Sequence, residues 1–219
     1  MQVRGLDIAV AVAAIASCAL IAWDGAQGSS WSWSKFGYDL GMGMLISIVF
    51  YIMLVRIPEV RKSAKLKRNI LNRYTTMKRE CIIQLLFASG SRSVETRFWD
   101  GLLDPPAFRD YFYRDKRRRW YLAMNNVNTG YEECFQGIIK AVELFRDELV
   151  YVLEQIDLDE TTLGSLRSLS TQLGDVLKAK PGTPDIEFLF GTLQTLLGGW
   201  TGNGTVDHDP IEKMLKKIS

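Results

Sequence analysis

The chain has 219 residues, with 27 basic and 25 acidic side chains, one histidine and a mean hydropathy of −0.02. Its three cysteines, Cys18, Cys81 and Cys134, have no CxxC partner or nearby histidine, which leaves neither a zinc site nor a disulfide framework readable and suits buried thiols in a reducing compartment. The neutral average conceals a very apolar first quarter diluted by a charged remainder.

The first apolar run is Ile8 to Trp23, preceded by Arg4 and Asp7 and followed by Asp24. A short apolar core behind one arginine is compatible with a cleaved signal peptide. Ile15-Ala16-Ser17-Cys18 also resembles a lipoprotein cleavage site, but Ala19 to Trp23 stays apolar where lipoproteins usually turn polar. An uncleaved transmembrane helix over about residues 8–24 is the expectation. Residues 24–39 then form a small, polar, aromatic loop with Lys35 as its only basic residue. Trp23, Trp31, Trp33, Phe36 and Tyr38 are rings of the kind that settle at headgroup depth.

From Leu40 to Val55 there are sixteen residues without a charge, and the chain then turns abruptly basic through Arg56, Arg61, Lys62, Lys65, Lys67 and Arg68. In a bilayer every backbone polar group must be satisfied within the segment, so the run is expected to be helical, over about residues 38–56. Sixteen residues rise about 24 Å, and the flanking rings and Ile57 extend that toward the ~30 Å hydrocarbon core. The alternative is a buried core helix, which would need a soluble core around every side of this run. Basic residues near the membrane favour the flank holding Arg56 to Arg68 and Arg4 over the loop, so both termini are expected in the cytoplasm of a bacterial inner-membrane protein. Small residues recur at Ala9, Ala13 and Ser17 and at Gly37 and Gly41, a spacing at which helix backbones can approach, within one hairpin or between copies in a homo-oligomer. Neither span carries an internal charge.

Residues 56–79 hold nine basic residues against Glu59 alone, while residues 80–219 hold sixteen basic and twenty-one acidic ones. This collar can attract anionic headgroups or merely set topology. Pro58 should kink or restart the helix. Beyond it, Val60, Ala64, Leu71, Tyr74, Met77, Cys81 and Leu85 form a helical stripe, predicting an amphipathic helix over Glu59 to Ala88 that ends at Gly90.

The stretch Phe108 to Tyr121 interleaves aromatic and basic residues within one predicted helix. Its cations Arg114, Lys116, Arg117, Arg118 and Arg119 are candidates for nucleic-acid or partner contact, since such surfaces stack bases and neutralise phosphates. The plainer alternative is an amphipathic helix with its rings in the core. Tyr131 to Ile156 and Thr162 to Leu177 have helical periodicity, with Asp159 a candidate N-cap, and Ile186 to Leu197 and Ile211 to Ile218 are shorter helices flanking a loop. The expected fold class is all-α: a transmembrane hairpin over 1–57 followed by a cytoplasmic helical bundle over 58–219.

Catalytic chemistry is not legible. His208 between Asp207 and Asp209 offers metal-ligand types on a Gly-rich loop, but adjacent flexible residues rarely hold a metal alone. Glu132-Glu133 and Asp157, Asp159 and Glu160 suit a solvated face and a helix start. There is no phosphate loop, nucleophile elbow, zincin or dinucleotide fingerprint. The expectation is a non-enzyme without a cofactor.

Two spans, the exit segment Val55-Arg56-Ile57-Pro58-Glu59-Val60-Arg61-Lys62 and a small helical domain together resemble the two-transmembrane effectors of bacterial anti-phage systems, including those encoded beside retron reverse transcriptases. The resemblance is one of architecture over the whole length. It implies an effector held inactive by a cytoplasmic inhibitor, such as a reverse transcriptase with its RNA–DNA product, and able to damage the membrane when released. The competing expectation is a passive anchor or adaptor that presents a helical interaction domain.

Overall fold

The computed structural model describes residues 12, 15–19, 32–91, 96–114, 118–156, 158–201 and 204–216. Among these residues the fold is all-α apart from one ribbon of two two-residue strands. The predicted first span therefore lies outside the described residues except for residues 12 and 15–19, which are helical. The chain divides into two compact units, Met1–Lys62 and Ser63–Ser219.

In the first unit, α1 runs Ser32–Tyr51 and passes into a π-turn, Ile52–Arg56, whose end is marked by the Ile57 N–H donating to the Ile52 carbonyl. Sequence alone suggested that Pro58 would kink or restart the helix. The helix does not break there, since Tyr38–Ala88 is one 51-residue helical run, but its α-geometry is interrupted by the π-turn just before Pro58. Proline has no N–H to give and crowds the carbonyl four residues back, and a π-turn immediately before it widens the backbone at the place where an α-turn would fail. An 18-residue window of the run is apolar enough to cross a bilayer and only 6% buried. Leu54, Met53 and Phe50 are 70%, 61% and 59% exposed.

The second unit begins inside α2 (Ile57–Ala88). Its buried stripe starts at Leu66 and continues through Ile70, Tyr74, Met77, Cys81, Ile82 and Leu85. The predicted stripe began too early: Val60 and Ala64 are exposed and Leu71 is only half-buried. The helix ends on Gly90, at φ +86°, with Gly90 N–H donating to the Phe87 carbonyl and Ser91 N–H to that of Leu86. Only a residue that tolerates left-handed backbone closes this paired motif without strain.

A short α3 (Thr96–Gly101) precedes α4 (Pro105–Tyr113), which has prolines in its first turn where the missing N–H costs nothing. Then follow α5 (Arg118–Thr129), α6 (Glu132–Gln155), α7 (Glu160–Val176) and α8 (Asp185–Gly198). The ribbon pairs β1 (Trp200–Thr201) with β2 (Gly204–Thr205), Trp200 opposite Thr205, within a stretch predicted as loop. The last element is α9 (Pro210–Lys216). Helix α6 packs on α5 and α7, and α8 on α4 and α7. The shared core holds Tyr74, Phe108, Phe112, Ile138, Phe145 and Leu149, all fully buried.

Asp159 caps α7 as its position predicted, its carboxylate accepting from the Thr162 N–H at 2.9 Å and from the Thr161 hydroxyl. These bonds to the charged form, the Thr161 hydroxyl foremost, lower its pKa to about 2. A depressed carboxylate stabilises the fold above its unfolded pKa and loses that contribution as pH falls through the folded one. Protection of the Thr162 amide from hydrogen exchange should therefore drop between about pH 4 and pH 2, and Asp159→Asn should flatten that drop.

Candidate functional site

Three side chains of the second unit converge where residues 209–212 meet α2. Tyr74 and Lys78 are one turn apart on the inward stripe, so their side chains point the same way. Both reach Asp209: the Tyr74 hydroxyl lies 2.9 Å from Oδ2 and 3.0 Å from Oδ1, and Lys78 Nζ lies 2.8 Å from Oδ2. Lys78 also donates to the Leu103 carbonyl at 2.8 Å. On the far side, Asp209 Oδ1 caps α9 by accepting the Ile211 and Glu212 N–H groups at 3.0 Å each. The Lys78 and Asp209 side chains are 5% and 4% exposed.

Burial, with the Asp209 charge second, pushes the Tyr74 hydroxyl well above its ordinary pKa, so it remains a neutral donor. Burial also raises the neighbouring Cys81 thiol to about 12 and the Cys134 thiol above its usual value, which makes both poor nucleophiles. Asp209 faces four donors and no solvent, so this cluster suits a lock better than a reaction centre.

A second clamp holds the same segment. Arg109 of α4 donates to the Gly198 carbonyl at 2.7 Å, to the Val206 carbonyl at 2.9 Å and to Asp207 at 2.6 Å. Gly199, at φ +66°, lets the chain pass so close that a Cβ there would sit 2.7 Å from the Val206 carbonyl oxygen. The two aspartates beside His208 thus turn to different partners, Asp207 to Arg109 and Asp209 to Lys78, rather than converging on a metal. Among the described residues no acidic, histidine and cysteine group could hold a metal ion.

The sequence-predicted sites lie elsewhere. Of the collar, Arg56 is half-buried, Arg61, Lys62, Lys65 and Arg68 are exposed, and Lys67 is intermediate. The aromatic and basic stretch is two helices, α4 and α5, and not the single helix expected. Its rings Phe108, Phe112 and Trp120 are core, meeting at centroid distances of 4.6 to 6.1 Å. Arg114 pairs with Asp110 at 2.9 Å, and Arg119 lies 4.4 Å from the centre of the Tyr111 ring. Arg118 is exposed, while Lys116 and Arg117 lie outside the described residues.

Of the small residues, Ala9 and Ala13 also lie outside the described residues, and Gly37 falls within α1. Ser17 is fully buried although Ile15 two residues away is 70% exposed. Gly41 is buried between exposed Leu40 and Met42.

Tyr74, Lys78, Arg109 and Asp209 were missed as a site. The available signal was a lysine at an inward position, between Met77 and Cys81. No family model, curated protein or solved structure matches the chain.

Proposed function

We propose that the chain is a membrane-embedded, non-catalytic protein whose helical domain works by contact with a partner. We further propose that it is an antiviral effector of the retron type, restrained by a cytoplasmic inhibitor such as a reverse transcriptase with its RNA–DNA product. The membrane part rests on one observation, an 18-residue apolar stretch of helix that is only 6% buried. Water would penalise that much exposed apolar surface, whereas lipid accepts it. The effector part rests on the architectural resemblance and on the contrast between an apolar first unit and a compact charged second one.

The two-span hairpin, with both termini in the cytoplasm of an inner-membrane protein, belongs to the same proposal. It is supported by the charge asymmetry and by the burial of Ser17 and Gly41, small residues on the two runs that lie within the first unit. That burial also favours a second reading, the passive anchor: small faces packed inside one chain are not free to join copies into a homo-oligomeric leak.

Expression without the inhibitor separates the readings. The effector should collapse membrane potential and stop growth; a reporter after Ser219 should be cytoplasmic and one at Ser30 periplasmic. Polarised, growing cells at full expression would leave only the anchor, and a periplasmic C-terminus would end the hairpin.

A further inference from the structure

Helix α5 presents two unlike faces. Trp120, Ala123, Met124 and Val127 are buried in the core, while Arg118, Arg119, Tyr121, Leu122 and Asn125 are exposed. Tyr121 is 60% and Leu122 44% exposed, large apolar groups that the core has left out. The helix contains no acidic residue. Arg119 is held in place: it lies over the Tyr111 ring and donates to the Tyr111 carbonyl at 3.3 Å. The surroundings carry the opposite sign, since residues 80–219 hold twenty-one acidic against sixteen basic residues, and α6 exposes Glu132, Glu133, Glu143, Asp147 and Glu154.

We propose that the outer face of α5 is a second membrane contact, docking the helical domain on an anionic lipid surface. Guanidinium groups on long stems pair with headgroup phosphates, while a tyrosine ring and a leucine side chain reach the boundary with the acyl chains. A single-stranded nucleic acid offers the same phosphates, but it would need a row of open rings to stack on. Phe108, Phe112 and Trp120 are buried and the Tyr111 ring is covered by Arg119, while Leu122 is a group that lipid accepts and bases do not stack upon. The proposal rests on the membrane-span reading, because the span supplies the bilayer against which the face would lie.

The test uses the full chain in vesicles of phosphatidylcholine, with or without phosphatidylglycerol. Cys18→Ser removes the exposed thiol, and a bimane fluorophore is placed at Asn125→Cys on the α5 face or at Glu143→Cys on the acidic α6 face. Spin-labelled headgroups should quench the probe at 125 in phosphatidylglycerol vesicles and leave that at 143 bright. Arg118→Gln with Tyr121→Ser should bring position 125 down to the control level while leaving the far-ultraviolet dichroism unchanged. Arg118→Glu with Arg119→Glu should do the same, and serves where the first pair disturbs folding.

Carbonate extraction scores the span separately. Protein retained in the vesicles without quenching at 125 overturns the α5 proposal and leaves the span standing. Extractable protein that still shows phosphatidylglycerol-dependent quenching supports α5 without the span. Binding of single-stranded polyuridine that Arg118→Gln abolishes, with no lipid quenching, overturns the proposal in favour of nucleic acid.

Discussion

Asp209→Ala should destabilise the helical domain by about 3–5 kcal/mol, the range for breaking a buried ion pair from one side. The carboxylate is 4% exposed and receives the Tyr74 hydroxyl, the Lys78 ammonium and two backbone N–H groups. Its removal leaves Lys78 buried with, among the described residues, only the Leu103 carbonyl as acceptor and strips α9 of its cap, the cap alone contributing about 1 kcal/mol. Tyr74→Phe, which deletes one donor to a charged acceptor, should cost less, about 1.5–3 kcal/mol.

Lys78→Met combined with Asp209→Asn removes both charges and keeps a side chain able to cap. It should recover much of the loss, because no charge is then left buried without its partner. Urea unfolding of the purified chain, with exchange of the Ile211 amide as a local probe, checks all three. An Asp209→Ala protein within about 1 kcal/mol of the parent would show that the ion pair is not holding the fold.

What the sequence revealed follows the physics of each element. Helices α6 and α7 were legible because Phe135, Ile138, Val142, Phe145 and Leu149 in the first and Leu166, Leu169 and Leu173 in the second repeat at helical spacing, and their boundaries shifted by only one or two residues. The stretch from Phe108 to Tyr121 left two readings open because alternating rings and cations fit either a surface or a core, and periodicity does not say which side is covered; its division into two helices was not legible. The lock was unreadable for a different reason. Tyr74 and Lys78 precede Asp209 by more than 130 residues, and only the folded topology brings them together. At Pro58 the sequence marked the place of a helix irregularity but not its form, because a π-turn is a backbone solution with no side-chain signature.

The largest effect on location should come from placing Ile46→Arg and Phe50→Arg together. Between Leu40 and Val55 the run holds nine leucine, isoleucine, valine or phenylalanine residues. At about −0.3 to −0.6 kcal/mol each, they favour insertion by roughly 3–5 kcal/mol. One arginine near the centre costs about 2.5–3.5 kcal/mol and two cost about 5–7 kcal/mol, so a single change should be borderline and the pair prohibitive. The double variant should become extractable by carbonate, or keep one span and move its C-terminus to the other side of the membrane.

A soluble protein predicts the opposite. Ile46 and Phe50 are 51% and 59% exposed, so two arginines there would face water, cause little strain and improve solubility. A double variant that stays carbonate-resistant with a cytoplasmic C-terminus would remove α1 as a required span. A parent chain that purifies without detergent, and gains solubility from the arginines, would place its apolar face against another protein instead of lipid.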